Sequence, residues 1–299
     1  MVHESAGGVY VVELDDGRRV EASLRGRLKR DSDTAGQVVI GDRVHLGPSD
    51  ETWVIEGVEP RRSALVRRGR GGRTGRVLVA NLDRVLAVVA FRDPDATPEL
   101  VNRLLALVEA AGMRPVLVVN KVDLADSPEE VRALGEPYRE LGYEVLYVSA
   151  ESGEGVRELR ELCSGTSALV GPSGVGKSSL LNALEPGLRL KVGDLSRKTG
   201  TGKHTTVGSR LIRLAAGGLV ADTPGFSDVG LWGVAPEDVG ACFPEIHEAS
   251  AGCRFRSCTH THEPDCAVSA AVEEGEIAAS RYDSYVALRR DAEEAAESY

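Results

Sequence analysis

Apolar positions along this chain come in two textures. Over roughly the first sixty residues they are short runs broken by turn residues. Residues 9–14 are apolar and end at Asp15-Asp16-Gly17; residues 18–28 alternate weakly; Val38-Val39-Ile40 leads into Gly41-Asp42; Val44-His45-Leu46 and Trp53-Val54-Ile55 follow. About five short strands at this spacing predict a small all-β barrel. A five-stranded oligonucleotide-binding (OB) barrel fits, and an SH3-like barrel would read much the same. Residues 67–75, rich in Gly and Arg, read as a flexible basic linker.

From residue 84 the runs lengthen. Residues 85–91 are continuously apolar, as in a strand buried on both faces of a parallel sheet. Residues 98–112 place Leu100, Leu104, Leu107, Val108 and Ala111 on one helical face. Further strands are expected over 116–119, 145–148, 167–170 and 219–221, and helices over 128–141 and 177–184. This alternation predicts a doubly wound α/β domain over about 80–230. The rest, from Pro236, is helical in pattern, interrupted by a Cys/His cluster, and DAEEAAESY reads as a fraying helix end. The expected organisation is multidomain: a β-barrel over 1–70, an α/β domain over 71–232 and a helical subdomain over 233–299.

Composition narrows the class. The 299 residues are 42% hydrophobic and 27% charged, as in globular proteins. No run approaches about 18 apolar residues, so no transmembrane helix is expected. The start MVHESAGG lacks the pattern of a secretory signal, and five cysteines do not make a disulfide scaffold. These features predict a cytoplasmic protein without membrane contact. The net charge of −10 argues against a nucleic-acid binder, but it hides a gradient: residues 1–80 carry +2 and the rest −12. The strip 61–76 holds seven arginines and no acid. With Arg25, Arg27, Lys29 and Arg30 it could dock on a polyanion. Aromatics are only 4% of the chain, so phosphate contacts and salt-sensitive binding are expected rather than base stacking.

The chemistry begins at 171–178, where Gly171, Pro172, Ser173, Gly174, Val175, Gly176, Lys177 and Ser178 match G-x-x-x-x-G-K-[ST] between a predicted strand and a predicted helix. Such a loop turns backbone N–H groups toward phosphate oxygens. Lys177 is expected to reach the β- and γ-phosphates, Ser178 to hold Mg²⁺, and Ser179 to continue the phosphate-binding turn. Asn120-Lys121-Val122-Asp123, after the strand PVLVV, is the N-K-x-D pattern of GTPases. A carboxylate at Asp123 accepts from guanine N1–H and the N2 amine, and pairing them selects GTP over ATP. Lys121 would cover the base and Asn120 would tie this loop to the phosphate loop. Ser149-Ala150 resembles the loop whose backbone meets guanine O6. Asp222-Thr223-Pro224-Gly225 resembles the D-x-x-G of switch II, with Asp222 on Mg²⁺ through water and Gly225 sensing the γ-phosphate. Upstream, Thr205 or Thr206, with preference for Thr206, would be the switch I ligand to Mg²⁺.

The order of these motifs is permuted: N-K-x-D and S-A precede the phosphate loop and both switches. The chain thus reads as a circularly permuted GTPase, whose switch II leads straight into the C-terminal region. That region contains Cys253, Cys258, His260 and Cys266, a Cys3His set suited to tetrahedral Zn²⁺. His262 is the alternative histidine. Cys163 and Cys242 stand apart and are expected in the core.

A small β-barrel, a permuted GTPase and a Cys3His knuckle, in that order, resemble the ribosome small subunit-dependent GTPase A (RsgA) family over residues 8–290 or so. RGRLKR (25–30), VVIGDRV (38–44), VANLDRVLAV (79–88), GPSGVGKSSLLNAL (171–184) and GKHTTVGSRL (202–211) carry the likeness. The resemblance implies an OB fold for the barrel, GTP/GDP with Mg²⁺ and Zn²⁺, GTP hydrolysis stimulated by the 30S ribosomal subunit, contact with 16S rRNA, and a role in late 30S maturation. Phe226 stands where Ras-like proteins place the glutamine that orients attacking water, so intrinsic hydrolysis should be slow. The resemblance supports His204 as the group that orients that water. Gly174 stands where some GTPases place a potassium-holding asparagine, so activation by that route is not expected. A monomer is expected. Two rival readings are a GTP-regulated RNA-binding module without ribosome specificity, and an ATPase, against which Asp123 speaks.

Overall fold

The computed structural model describes residues 1–25, 38–49, 52–68, 75–188, 209–222 and 234–297. Its first strands are β1 (Val2–Ala6), β2 (Val9–Glu13), β3 (Arg19–Leu24), β4 (Val44–Pro48) and β5 (Trp53–Val58). β1, β2 and β3 form an antiparallel meander, β3 pairs in parallel with β5, and β5 pairs antiparallel with β4. The segment before β4 reaches back to β1, with the Val2 N–H donating to Asp42 O at 2.8 Å and the Gly41 N–H to Val2 O at 2.9 Å. This is the order of the OB barrel, which decides between the two expected barrels. Val2, Tyr10, Val12, Ala22 and Ile55 fill it.

Two local expectations change. Residues 38–40 are buried but form only a bridge, Ile40 to Val79, rather than a strand. The expected basic linker contains strand at both ends: β6 (Ala64–Arg68) pairs antiparallel with β7 (Gly75–Ala80). Burial of Leu65, Leu78 and Val79 outweighs the Gly and Arg composition there.

In the α/β domain, β8 (Arg84–Ala90), β9 (Pro115–Asn120), β10 (Glu144–Tyr147), β11 (Thr166–Val170) and β13 (Leu219–Asp222) are parallel, while β12 (Ser209–Arg213) is antiparallel to β13. Side chains of β8 alternate between two cores. Val85, Ala87 and Val89 pack under α1 (Pro98–Ala110) and α2 (Pro128–Glu140). Leu86, Val88 and Ala90 pack under α3 (Val156–Leu162) and α4 (Lys177–Leu184). Strand order is β10-β9-β8-β11-β13-β12, and the sheet then continues into β1. Along that seam Glu4 faces Arg210 and Ser5 faces Ser209, and Arg213 Nη2 donates to Glu13 Oε1 at 2.6 Å. Neither β1 nor β12 is visible in the apolar pattern, because VHESA and SRLIR are largely polar.

The C-terminal subdomain holds α5 (Pro244–Ser250), α6 (Ala267–Glu273) and α7 (Ala279–Glu297) after a 3₁₀ segment, Pro236–Cys242. Val239, Phe243, Ile246, Val268, Tyr285 and Leu288 form its core, which includes Ala106 of α1. Cys163 and Cys242 are buried, as expected. Among the described residues no helix is long and apolar enough to cross a membrane.

Candidate functional site

The strands leave β8 in two directions, to β9 and β10 on one side and to β11 and β13 on the other. Open α/β sheets bind ligands at such a switch point, beyond the carboxyl ends of the strands. The phosphate loop follows β11, and Asn120-Lys121-Val122-Asp123 closes β9 and follows it. The topology therefore brings both motifs to one crevice.

The loop's glycines meet steric demands. Gly171 has φ +152°, and a Cβ there would run into Val88 O; Gly176 has φ +92°, and a Cβ there would run into the Asn120 amide. Gly176 thus lets the phosphate loop close on β9. Ser173 and Gly174 are exposed at the lip, Pro172 and Ser179 are half-buried, and Val175, Lys177 and Ser178 are buried. Lys177, only 9% exposed, donates Nζ to Gly171 O and Pro172 O, both at 2.7 Å. Burial pushes its ammonium down to about 8. A desolvated cation that meets carbonyl oxygens, and no carboxylate among the described residues, is fitted to an anion brought from outside. Ser178 lies in the first turn of α4, where free N–H groups favour negative charge.

Asn120 is 1% exposed and joins three segments. Its Nδ2 donates to Val175 O at 2.8 Å, and its Oδ1 accepts the Ala150 N–H at 3.3 Å. Ser149 Oγ donates to Asp123 Oδ1 at 2.5 Å and accepts the N–H groups of Glu151 and Ser152 at 3.2 and 3.0 Å. Asp123 is thereby aimed by a buried hydroxyl. Lys121, with φ +62°, donates Nζ to Asp93 O, a link across the β8–α1 loop that no motif announces. Asp222 ends β13, and its Oδ2 accepts from Arg210 Nε at 3.1 Å. That partner also escapes a motif search, because it comes from an adjacent strand. His204, Thr205, Thr206, Gly225 and Phe226 lie outside the described residues.

The Cys3His set converges. The ligand atoms of Cys253, Cys258, His260 and Cys266 all lie within 4.8 Å of one another. Cys253 Sγ to Cys266 Sγ is 3.9 Å, and each of these sulfurs is 3.5 Å from His260 Nδ1. Zn–S and Zn–N bonds of about 2.3 and 2.0 Å give tetrahedral edges of about 3.8 and 3.5 Å, so the donor set fits zinc. His262 is exposed and bonds Thr261 Oγ1 instead, at 2.9 Å. The knuckle is anchored to α7: Tyr282 and Tyr285 hydroxyls donate to His260 O and Thr259 O at 2.6 and 2.8 Å.

Part of the basic strip has partners within the fold. Arg61 grips the buried Asp42 with two bonds, at 2.7 and 2.9 Å, and Arg62 pairs with Asp83 at 3.1 Å. Arg25 pairs with Glu56. Arg76 is exposed. Arg27, Lys29, Arg30, Arg70 and Arg73 lie outside the described residues.

Comparison with known proteins agrees with the fold and with the reading as a GTPase. The profile of one family, RsgA GTPase, matches residues 58–232. A small ribosomal subunit biogenesis GTPase RsgA from Gemmatimonas aurantiaca is 47% identical over 294 residues, covering 97% of this chain and 95% of the relative. Its counterpart from Moorella thermoacetica is 45% identical, covering 94% and 92%. Among solved structures, YjeQ from Thermotoga maritima is 34% identical with a TM-score of 0.78, covering 98% of this chain and 97% of that one. YloQ, described as a circularly permuted GTPase, is 30% identical with a TM-score of 0.75, covering 98% and 94%.

Proposed function

This chain belongs to the RsgA GTPase family and is a GTP hydrolase, and on that premise we propose that it binds the small ribosomal subunit and assists its late maturation, hydrolysing GTP to GDP and phosphate when the 30S particle stimulates it. The observation that carries the nucleotide part is Lys177, buried without an acidic partner among the described residues, at a crevice where Asn120 clamps the phosphate loop. The ribosomal part rests on the relatives' names over nearly their whole length.

In this reading residues 171–179 cradle the phosphates, Lys177 neutralises the β- and γ-oxygens, and Asp123, Lys121, Ser149 and Ala150 select and hold guanine. Ser178 and Thr206 hold Mg²⁺ directly and Asp222 through water; bound there, the ion would offset charge on the phosphate oxygens. Gly225 senses the γ-phosphate and His204 orients water, since Phe226 has no hydrogen-bonding group to do so. Cys253, Cys258, His260 and Cys266 hold Zn²⁺ with no open position, so that metal builds the subdomain rather than catalyses. The organisation is a barrel over 1–70, a GTPase domain over 71–232 and a zinc subdomain over 233–299. The strip 61–76 contacts 16S rRNA, with Arg61 supporting the barrel; the protein acts as a cytoplasmic monomer.

The test is GTP turnover with and without purified 30S subunits, at low and physiological salt, with ATP as control. Stimulation by 30S that is specific for GTP and weakens with salt is expected, and is lost in His204→Ala. Equal stimulation by naked RNA would instead favour a GTP-regulated RNA-binding module. Full stimulation of His204→Ala would remove that residue from catalysis.

A further inference from the structure

Arg210 stands between two carboxylates that belong to different units of the chain. In the strand register it lies opposite Asp222 on β13 and opposite Glu4 on β1. Directly opposite residues share a face of the sheet, with Cβ atoms about 5 Å apart. The row Asp222–Arg210–Glu4 therefore runs from the nucleotide crevice to the barrel. The guanidinium sits with Asp222 at 3.1 Å, the two side chains being 44% and 15% exposed. Glu4 has no side-chain partner among the described residues. The neighbouring acid, Glu13, is occupied by Arg213 at 2.6 Å and Arg19 at 3.3 Å.

We propose that Arg210 is a positioning residue for Asp222 that changes partner with magnesium: it holds the Asp222 carboxylate until nucleotide and magnesium claim it, and then pairs with Glu4 of β1. The proposal rests on the reading of Asp222 as an outer ligand of magnesium. Its physical basis is competition. A hydrated dication and a guanidinium drawing on one carboxylate repel each other. An arginine with a second carboxylate on the same face can yield by side-chain rotation alone. The chain carries that second carboxylate on the strand that joins the barrel to the GTPase sheet, so loading is registered as an ion pair across the seam. Exposed pairs of this kind shift an equilibrium by about two- to fivefold, enough to tune magnesium binding without blocking it.

The experiment is a magnesium titration of the full chain with a fluorescent, non-hydrolysable GTP analogue, read as the half-saturating magnesium concentration. Arg210→Gln should lower it about two- to fivefold, because the competitor is gone. Glu4→Gln should raise it about twofold, because the displaced guanidinium loses its second partner. The double variant should match Arg210→Gln alone, and Arg210→Lys should remain sensitive to Glu4→Gln. A merely structural arginine would give none of this non-additivity. An unchanged magnesium requirement in Arg210→Gln, or an effect of Glu4→Gln that persists without Arg210, overturns the exchange. Should Arg210→Gln fail to fold, the pair Arg210→Lys with and without Glu4→Gln decides: no response to Glu4→Gln overturns it. Asp222→Asn separates the two readings. If that variant leaves the magnesium requirement unchanged, the role of Asp222 fails and the exchange falls with it. If it shifts the requirement while Arg210→Gln does not, the exchange alone fails.

Discussion

Lys177 carries its charge into a buried place where, among the described residues, two carbonyl oxygens receive it. Its ammonium is therefore held at about 8 instead of the ordinary 10.5. A phosphate chain beside it restores the charged form, so binding takes up a proton once the free site has lost one. The sign follows: below about pH 8 the free lysine is already charged and affinity is flat, and above that affinity falls as pH rises, by at most about tenfold per unit. Fluorescence titration of GDP between pH 7 and 9.5 should show this bend, and Lys177→Ala should abolish it while weakening binding about 10- to 150-fold, the worth of a charge-assisted hydrogen bond. An affinity flat to pH 9.5 would place the lysine's titration elsewhere. Lys177 was legible in the sequence because its role is set by seven neighbours in a row. The Asp93 carbonyl that holds Lys121, and the guanidinium on Asp222, were not, because their partners arrive from other strands and loops.

The zinc knuckle shows the same contrast among elements. Its helices are short: α5 and α6 have seven residues each, too few to persist alone. The Cys3His cluster sits between them and is tied by Tyr282 and Tyr285 to α7. Removing zinc should therefore loosen residues 253–266 and the α6–α7 packing, while nucleotide binding, built on β8, β9 and β11, persists. Hydrogen exchange with and without a strong chelator checks this. Faster exchange confined to the C-terminal subdomain is expected, and equal loss of protection at the phosphate loop would contradict it. The buried strands of the parallel sheet were legible because burial on both faces demands unbroken apolar runs. β1, β12 and the β6–β7 pair were not, because strands with polar faces or basic flanks leave no such run.

At the scale of the molecule, two contacts among the described residues stand out for tying distant stretches of the chain together. One is the backbone pairing of β12 with β1. The other is Arg281 of α7, 2% exposed, which donates to Glu245 of α5 at 2.6 and 3.1 Å and to Asn102 Oδ1 of α1 at 3.2 Å. Its guanidinium also lies 4.6 Å from the centre of the Phe243 ring. Breaking a buried pair from one side strands the other charge, so Arg281→Ala should cost about 3–5 kcal/mol. Chemical denaturation should show the C-terminal subdomain unfolding ahead of the GTPase domain. A loss below about 1 kcal/mol, as for an exposed pair, would mean that water replaces the arginine.

What the sequence determined by itself was local chemistry and order: the phosphate-loop motif, the N-K-x-D motif over Asn120 to Asp123, the spacing of the Cys3His set, and the permutation of the GTPase motifs. Each motif is written in a short stretch whose backbone geometry and donor atoms leave little choice, and their order is read directly along the chain. Between the two barrel types, and between His260 and His262, the local pattern was the same for both, and only tertiary structure decided. Strand pairing and side-chain convergence join residues distant in the chain; Glu4 and Arg210 face each other across more than two hundred positions. Such contacts are selected by the burial and hydrogen bonding of the whole assembly, a condition no short window of sequence contains.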